Sequence, residues 1–256
     1  MTAFAAVLSL LVAVSATMTI VWSTSMSAMG GMPMPGGWTM SMMWMRMPEQ
    51  TWAGVAVSFL GMWVVMMVAM MLPSLAPPLS RYRQALASSP DSRPGRCTLL
   101  AGAGYFGVWA AFGIAIFPIG TALADFVMDQ PSLSRAIPMA IGVVVLICGL
   151  LQLTRWKADH LACWREAPHD GGPQPAGGVA AWRVGVRLGA RCGLCCVNLM
   201  IILLVMGMMD LRVMAGVTAA LSVERLEPGG ERAARAIGIV IVAVALFQMA
   251  KAARWG

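Results

Sequence analysis

Charge is scarce in this chain: Asp, Glu, Lys and Arg make up 11% of its 256 residues, against 59% hydrophobic residues and a mean hydropathy of +0.76. A soluble domain carries about a quarter charged residues, so that class is excluded and a polytopic membrane protein remains. Histidine is nearly absent. His160 and His169 both fall in a polar connector, which excludes an intramembrane bis-histidine haem and a histidine-rich catalytic copper site. No Asp or Glu falls in the middle of an apolar stretch, which argues against a proton-coupled carrier. The net charge of +7 is not arranged as a basic patch interleaved with aromatics, so no nucleic-acid partner is expected. The first apolar segment lacks a basic stretch before it. It therefore reads as a retained span, with a cleaved signal peptide as the alternative that Val14-Ser15-Ala16, which looks like a cleavage site, leaves open.

What is present is a series of apolar stretches of the length that crosses a hydrocarbon core of about 30 Å. They lie at 3–22, 53–72, 99–122, 137–153, 192–209 and 234–250. A further stretch, 213–223, has about half the length a crossing needs, so it is a short tilted span or a re-entrant or interfacial helix. The expected fold is all-α: one polytopic transmembrane helix bundle over residues 1–256 with six or seven membrane segments.

Lys and Arg set the orientation, because short cytoplasmic loops carry the excess positive charge. Arg81, Arg83, Arg93 and Arg96 follow the second span. Arg155, Lys157, Arg165, Arg183, Arg187 and Arg191 follow the fourth. The loops after the first and third spans hold only Arg46 and Arg135. The N-terminus and the basic loop 154–191 are therefore expected in the cytoplasm, and the loop 23–52 outside. At the C-terminal end Arg225, Arg232 and Arg235 favour seven spans, whereas Lys251 and Arg254 favour six. The stretch 171–178, rich in Gly and Pro, reads as a flexible connector.

The external loop is dominated by sulfur. Met26, Met29, Met32, Met34, Met40, Met42, Met43, Met45 and Met47 crowd a segment too rich in Gly and Pro to be a core helix. Thioethers on a loop beside a membrane point to soft-metal binding. In the second span Met62, Met66 and Met70 recur every four residues, joined by Met67 and Met71, and form a helical stripe. Simple packing against lipid or a neighbouring helix is the plain alternative. Leu72-Pro73 is expected to end that span.

Cys192, Cys195 and Cys196 stand together at the expected start of the fifth span, with Met200 one turn further on the same face. A reducing cytosol keeps such thiols free, so metal binding or redox chemistry is favoured over a structural disulfide. Soft sulfur prefers Cu(I), Zn or an Fe–S cluster, and the dipole at a helix start would help hold a thiolate. Packing as small hydrophobes is again the plain alternative. His160 and Cys163, with His169 beyond, could join as ligands, although their surroundings are charged. Asp125, Asp129, Asp210 and Arg212 at the outer ends read as solvated loop caps or a polar rim.

Three strings, GMWVVMMVAMMLPSLAP, LLQLTRWKADHLACW and CGLCCVNLMIILLVMGMMDLRVMAGVTAALSVERLEPGG, resemble a bacterial family of metal-binding integral membrane proteins of unknown function, some of whose members are labelled copper chaperones. The resemblance implies a multi-pass protein of the bacterial inner membrane and a bound metal. Residue by residue it points to Met66, Met67, Met70, Met71, Pro73, Lys157, Cys163, Cys192, Cys195, Cys196, Met200, Gly207, Met209, Asp210, Met214 and Glu224. Many members have Asn where this chain has Asp210.

The expected function is binding of Cu(I) for transfer or delivery. External methionines would capture the ion, Met66 and Met70 would support it in the membrane, and Cys192, Cys195, Cys196 and Met200 would hold it. Copper is the expected ligand, with no haem and no nucleotide. The lipid bilayer is the expected partner, with another membrane protein or a copper enzyme as recipient. A catalytic site is not expected. The alternative of another class is a structural or assembly subunit of a membrane complex whose methionines contact a partner. A thiol–disulfide enzyme using Cys192 and Cys195 is a third reading.

Overall fold

The computed structural model describes residues 2–28, 30–46, 50–87, 93–166 and 177–255. Among the described residues eight helices follow one another: α1 (Thr2–Ala28), α2 (Trp52–Ala87), α3 (Pro94–Asp129), α4 (Pro131–Gln152), α5 (Arg155–Glu166), α6 (Gly178–Met206), α7 (Leu211–Leu226) and α8 (Gly230–Trp255). Between α1 and α2 a small hairpin pairs β1 (Met32–Met34) with β2 (Trp38–Met40), followed by a single 3-10 turn at Met42–Trp44. Six helices (α1, α2, α3, α4, α6 and α8) are long and apolar enough to cross a membrane. The chain is an all-α, multi-pass membrane protein.

Helix α7 resolves the expected half-length segment. Its 16 residues rise only about 24 Å, short of a full crossing. The chain turns out of α6 at Gly207, whose φ of +112° is a conformation that side chains with a Cβ rarely adopt. Ser23 of α1 then donates to the Met209 carbonyl. At the far end of α7, Arg165 of α5 donates to the Glu224 and Pro228 carbonyls. Helix α7 thus returns from the hairpin end of the bundle to the α5 end, and α6 and α8 run in the same direction.

Helix α4 sets the scale. Its 22 residues span about 33 Å, close to the hydrocarbon thickness, and its last residue, Gln152, bonds to Asn198 of α6 and Glu224 of α7. Those residues form a buried polar cluster toward the α5 end of the bundle. Helices α2, α3 and α6 continue past it. The span expected to stop at Leu72-Pro73 runs on through Pro73, Pro77 and Pro78 to Ala87, proline being tolerated in membrane helices. Ser74 and Ser80 donate to the carbonyls of Met71 and Pro77.

The fifth span also begins earlier than expected. Helix α6 starts at Gly178, so Arg183, Arg187 and Arg191 lie on a helical extension and not in a loop. Close approaches fix the long helices: a Cβ on Gly185 would overlap the Ala101 backbone of α3, and one on Gly142 of α4 would meet Met249 of α8. Small residues that let backbones approach are the usual glue of membrane bundles.

Candidate metal centre

The described methionines around the hairpin divide into two sets. Met40 is buried against Ala124 and Val127 of α3, with Met34 and Trp38 packed beside it. Trp38 Nε1 donates to the Ser134 carbonyl at 2.9 Å and Ser134 Oγ to the Pro35 carbonyl at 3.1 Å, which ties the hairpin to the start of α4. Met32 is exposed. The second set faces a cavity of about 400 Å³ lined by Met26, Met43, Met45 and Met62, with Trp22 and Phe59. Met26 is on α1, not in the loop, because α1 continues to Ala28. Met29 and Met47 lie outside the described residues, as does the side chain of Met42.

From that cavity the stripe on α2 leads inward. Met62, Met66, Met67, Met70 and Met71 are all at most 8% exposed, so the stripe faces the bundle interior and not lipid. Met71 then meets the cysteines: its Sδ lies 4.0 Å from Cys192 Sγ. Cys196 lies buried one turn further along α6 and donates to the Gly193 carbonyl, while Tyr105 Oη lies 2.9 Å from the Cys192 sulfur. Met200 is buried a turn beyond Cys196. What gathers is a mixed set of two thiols and a thioether.

Cys195 is buried, and its carbonyl accepts a 2.7 Å hydrogen bond from Lys157 Nζ. Among the described residues no three of His, Cys, Asp and Glu come together as a metal site, so the three thiols do not converge as a set. The His160 ring lies tilted with its centroid 4.2 Å from that of Trp156, and is bonded to the Trp156 carbonyl through Nδ1, and Cys163 is exposed; neither joins the cysteines. The cysteines are not at a helix start either. Cys192 lies about four turns into α6, beyond the first turn where the dipole acts.

The strongest electrostatic features are residues that spacing did not single out. Arg225 at the end of α7 is 7% exposed. It donates to Ser74 Oγ at 2.9 Å and to Cys192 Sγ at 3.1 Å, and its guanidinium stacks 4.6 Å from the Trp164 ring. Guanidinium stays protonated in proteins, so a fixed positive charge stands beside the Cys192 sulfur. It balances the negative charge that a copper–dithiolate group would carry. Beside it Lys157 and Glu224 form an ion pair at 2.8 Å, both 1% exposed in their side chains. Glu224 also accepts from Gln152, and Gln152 from Asn198.

Lys157 and Glu224 are implied only by the family resemblance. Tyr105, Ser74, Trp164 and Arg225 have no sequence signal beyond the polar run that ends the apolar stretch 213–223. Asp210 is a helix cap, its Oδ1 accepting from Arg212 N at 2.8 Å and Val213 N at 3.4 Å.

Residues 60–248 match the family PpoB2, described as copper chaperone, and the chain belongs to that family. No curated protein and no solved structure matches the chain.

Proposed function

We propose that this member of the copper-chaperone family binds Cu(I) at Cys192, Cys196 and Met71 and exchanges it with the outer methionine cavity along α2. The observation that carries this reading is the buried row of sulfur from Met43 and Met62 through Met66, Met67, Met70 and Met71 to Cys192. Thioethers are soft and neutral, which suits Cu(I). They accept it without adding charge inside the apolar slab. Thiolates bind it more tightly, so retention is expected at the cysteines and passage along the methionines. The distribution of Lys and Arg supports a cytoplasmic α5 end in a bacterial inner membrane. A copper enzyme or another membrane protein is the recipient this reading implies.

The test is copper stoichiometry on purified protein exposed to Cu(I) under reducing conditions. Wild type is expected to retain about one ion per chain through soft ligands, and Cys192→Ser with Cys196→Ser to retain almost none. Wild-type protein that retains no copper would sink the reading.

A further inference from the structure

A second cavity, of about 320 Å³, lies at the α5 end between α2, α5 and the α7–α8 turn. Its polar lining includes Ser74, Arg81, Arg165 and Arg225. The three guanidiniums border one space, and their visible bonds go to neutral or sulfur acceptors. Arg81 donates to the Arg165 carbonyl at 3.4 Å, Arg165 to the carbonyls at the end of α7, and Arg225 to Ser74 and Cys192. The buried Nε atoms of Arg165 and Arg225 have no hydrogen-bond partner. The single ion pair among the described residues, Lys157–Glu224, involves none of the three, and Glu227, which also lines the cavity, forms no ion pair with them, so the lining keeps an excess of positive charge. Three like charges around a half-enclosed space are unfavourable until an anion enters.

Arg225 is the wall between this cavity and the candidate copper site. It lines the cavity and at the same time touches Cys192 Sγ at 3.1 Å. An anion held there sits one side chain away from the sulfur that would take the copper. The volume is at the low end of small-molecule pockets, about 300–1,000 Å³, which suits a molecule of small-peptide size.

We propose that the arginine cavity binds the carboxylates of a small thiol, and that this thiol exchanges Cu(I) with Cys192. The proposal rests on the copper reading above. In the exchange a bond forms between Cys192 sulfur and Cu(I) as the bond between Cu(I) and the carrier sulfur breaks. The proton that leaves Cys192 goes to the departing carrier thiolate. Copper stays Cu(I), and no electron moves. Paired N–H donors of guanidinium match a carboxylate in a bidentate fork, so carboxylates orient the carrier while its sulfur reacts.

The experiment uses full-length protein in vesicles of zwitterionic lipid, with Cu(I) supplied as its complex with reduced glutathione or with glutathione diethyl ester. The ester keeps the thiol and masks both carboxylates. Loading, followed by ultraviolet copper–thiolate absorbance, is expected to saturate with the acid and not with the ester. The acid-to-ester rate ratio is expected to fall about tenfold in Arg81→Gln, the loss of one charge-assisted hydrogen bond, and to be largely restored in Arg81→Lys. Equal rates from acid and ester in wild type, or a ratio unmoved in Arg81→Gln, overturns the proposal while leaving the copper reading intact. Loss of saturation in vesicles containing phosphatidylglycerol also overturns it, because the cavity would then belong to a lipid headgroup. Failure of both complexes to load wild type brings down the copper reading and this proposal with it.

Discussion

At the hairpin end of the bundle Met26, Met43, Met45 and Met62 surround a cavity of about 400 Å³, and at the α5 end Ser74, Arg81, Arg165 and Arg225 surround one of about 320 Å³. The first is lined by neutral sulfur and aromatic rings, the second by fixed positive charge. Between them the α2 methionines and the Cys192–Cys196 pair are packed in one continuous core. On the proposed copper reading, the difference separates passage from retention. A neutral thioether environment lets a monovalent soft ion enter a low-dielectric region without a strong trap. A thiolate site in that region needs a counter-charge, and Arg225 is placed to supply it. Charge is therefore concentrated where an ion would be held, and kept away from where it would travel.

The largest expected effect comes from breaking the charged end. Glu224→Ala leaves the Lys157 ammonium buried beside Cys195 without its carboxylate, and removal of one partner of a buried pair is destabilising by about 3–5 kcal/mol. Chemical unfolding in detergent micelles should show that loss. Adding Lys157→Met to the same chain should recover most of it, because no uncompensated charge then remains. If Glu224→Ala unfolds like wild type, the α5 end is not held by its ion pair.

A smaller effect is expected from the neutral row. Met62→Leu, Met66→Leu and Met70→Leu together remove sulfur and keep bulk, and volume-conserving swaps are each expected to shift stability by less than about 1.5 kcal/mol. Copper retention at Cys192 and Cys196 should persist. Exchange with an external thioether chelator presented at the hairpin end should slow about tenfold, one decade being about 1.4 kcal/mol in the barrier. An unchanged exchange rate would reduce the methionine row to packing.

The α2 stripe is legible in the sequence because residues of one type recurring every four positions share a helical face, and the structure turns that face toward the sulfur-rich interior. The hairpin is not legible. Strands of three residues built from Met, Pro, Trp and Thr carry no alternation long enough to read. Cys192 sits deeper in its helix than expected because Arg183, Arg187 and Arg191, which look like loop charges, ride on the first turns of α6. Arg225 lies beyond any sequence argument. It is 154 residues from Met71 and 33 from Cys192, and only the return of α7 along the bundle brings it to both.

Asp210 gives the finest test of the contrast between the ends, since it is a carboxylate at the hairpin end, next in sequence to Met208 and Met209. If that end attracted cations through charge, Asp210→Asn would weaken copper uptake. The geometry gives the carboxylate a different role, because Oδ1 caps α7 by accepting from Arg212 N and Val213 N. An asparagine side-chain oxygen accepts the same bonds, and Asn and Asp are nearly equivalent caps. Asp210→Asn should therefore leave stability within about 0.5 kcal/mol, whereas Asp210→Ala should lower it by about 1 kcal/mol. Copper uptake from the hairpin end should be equal in wild type and Asp210→Asn, measured side by side under reducing conditions. A loss of uptake with stability intact would make that end electrostatic after all. A silent substitution would leave sulfur as its operative chemistry.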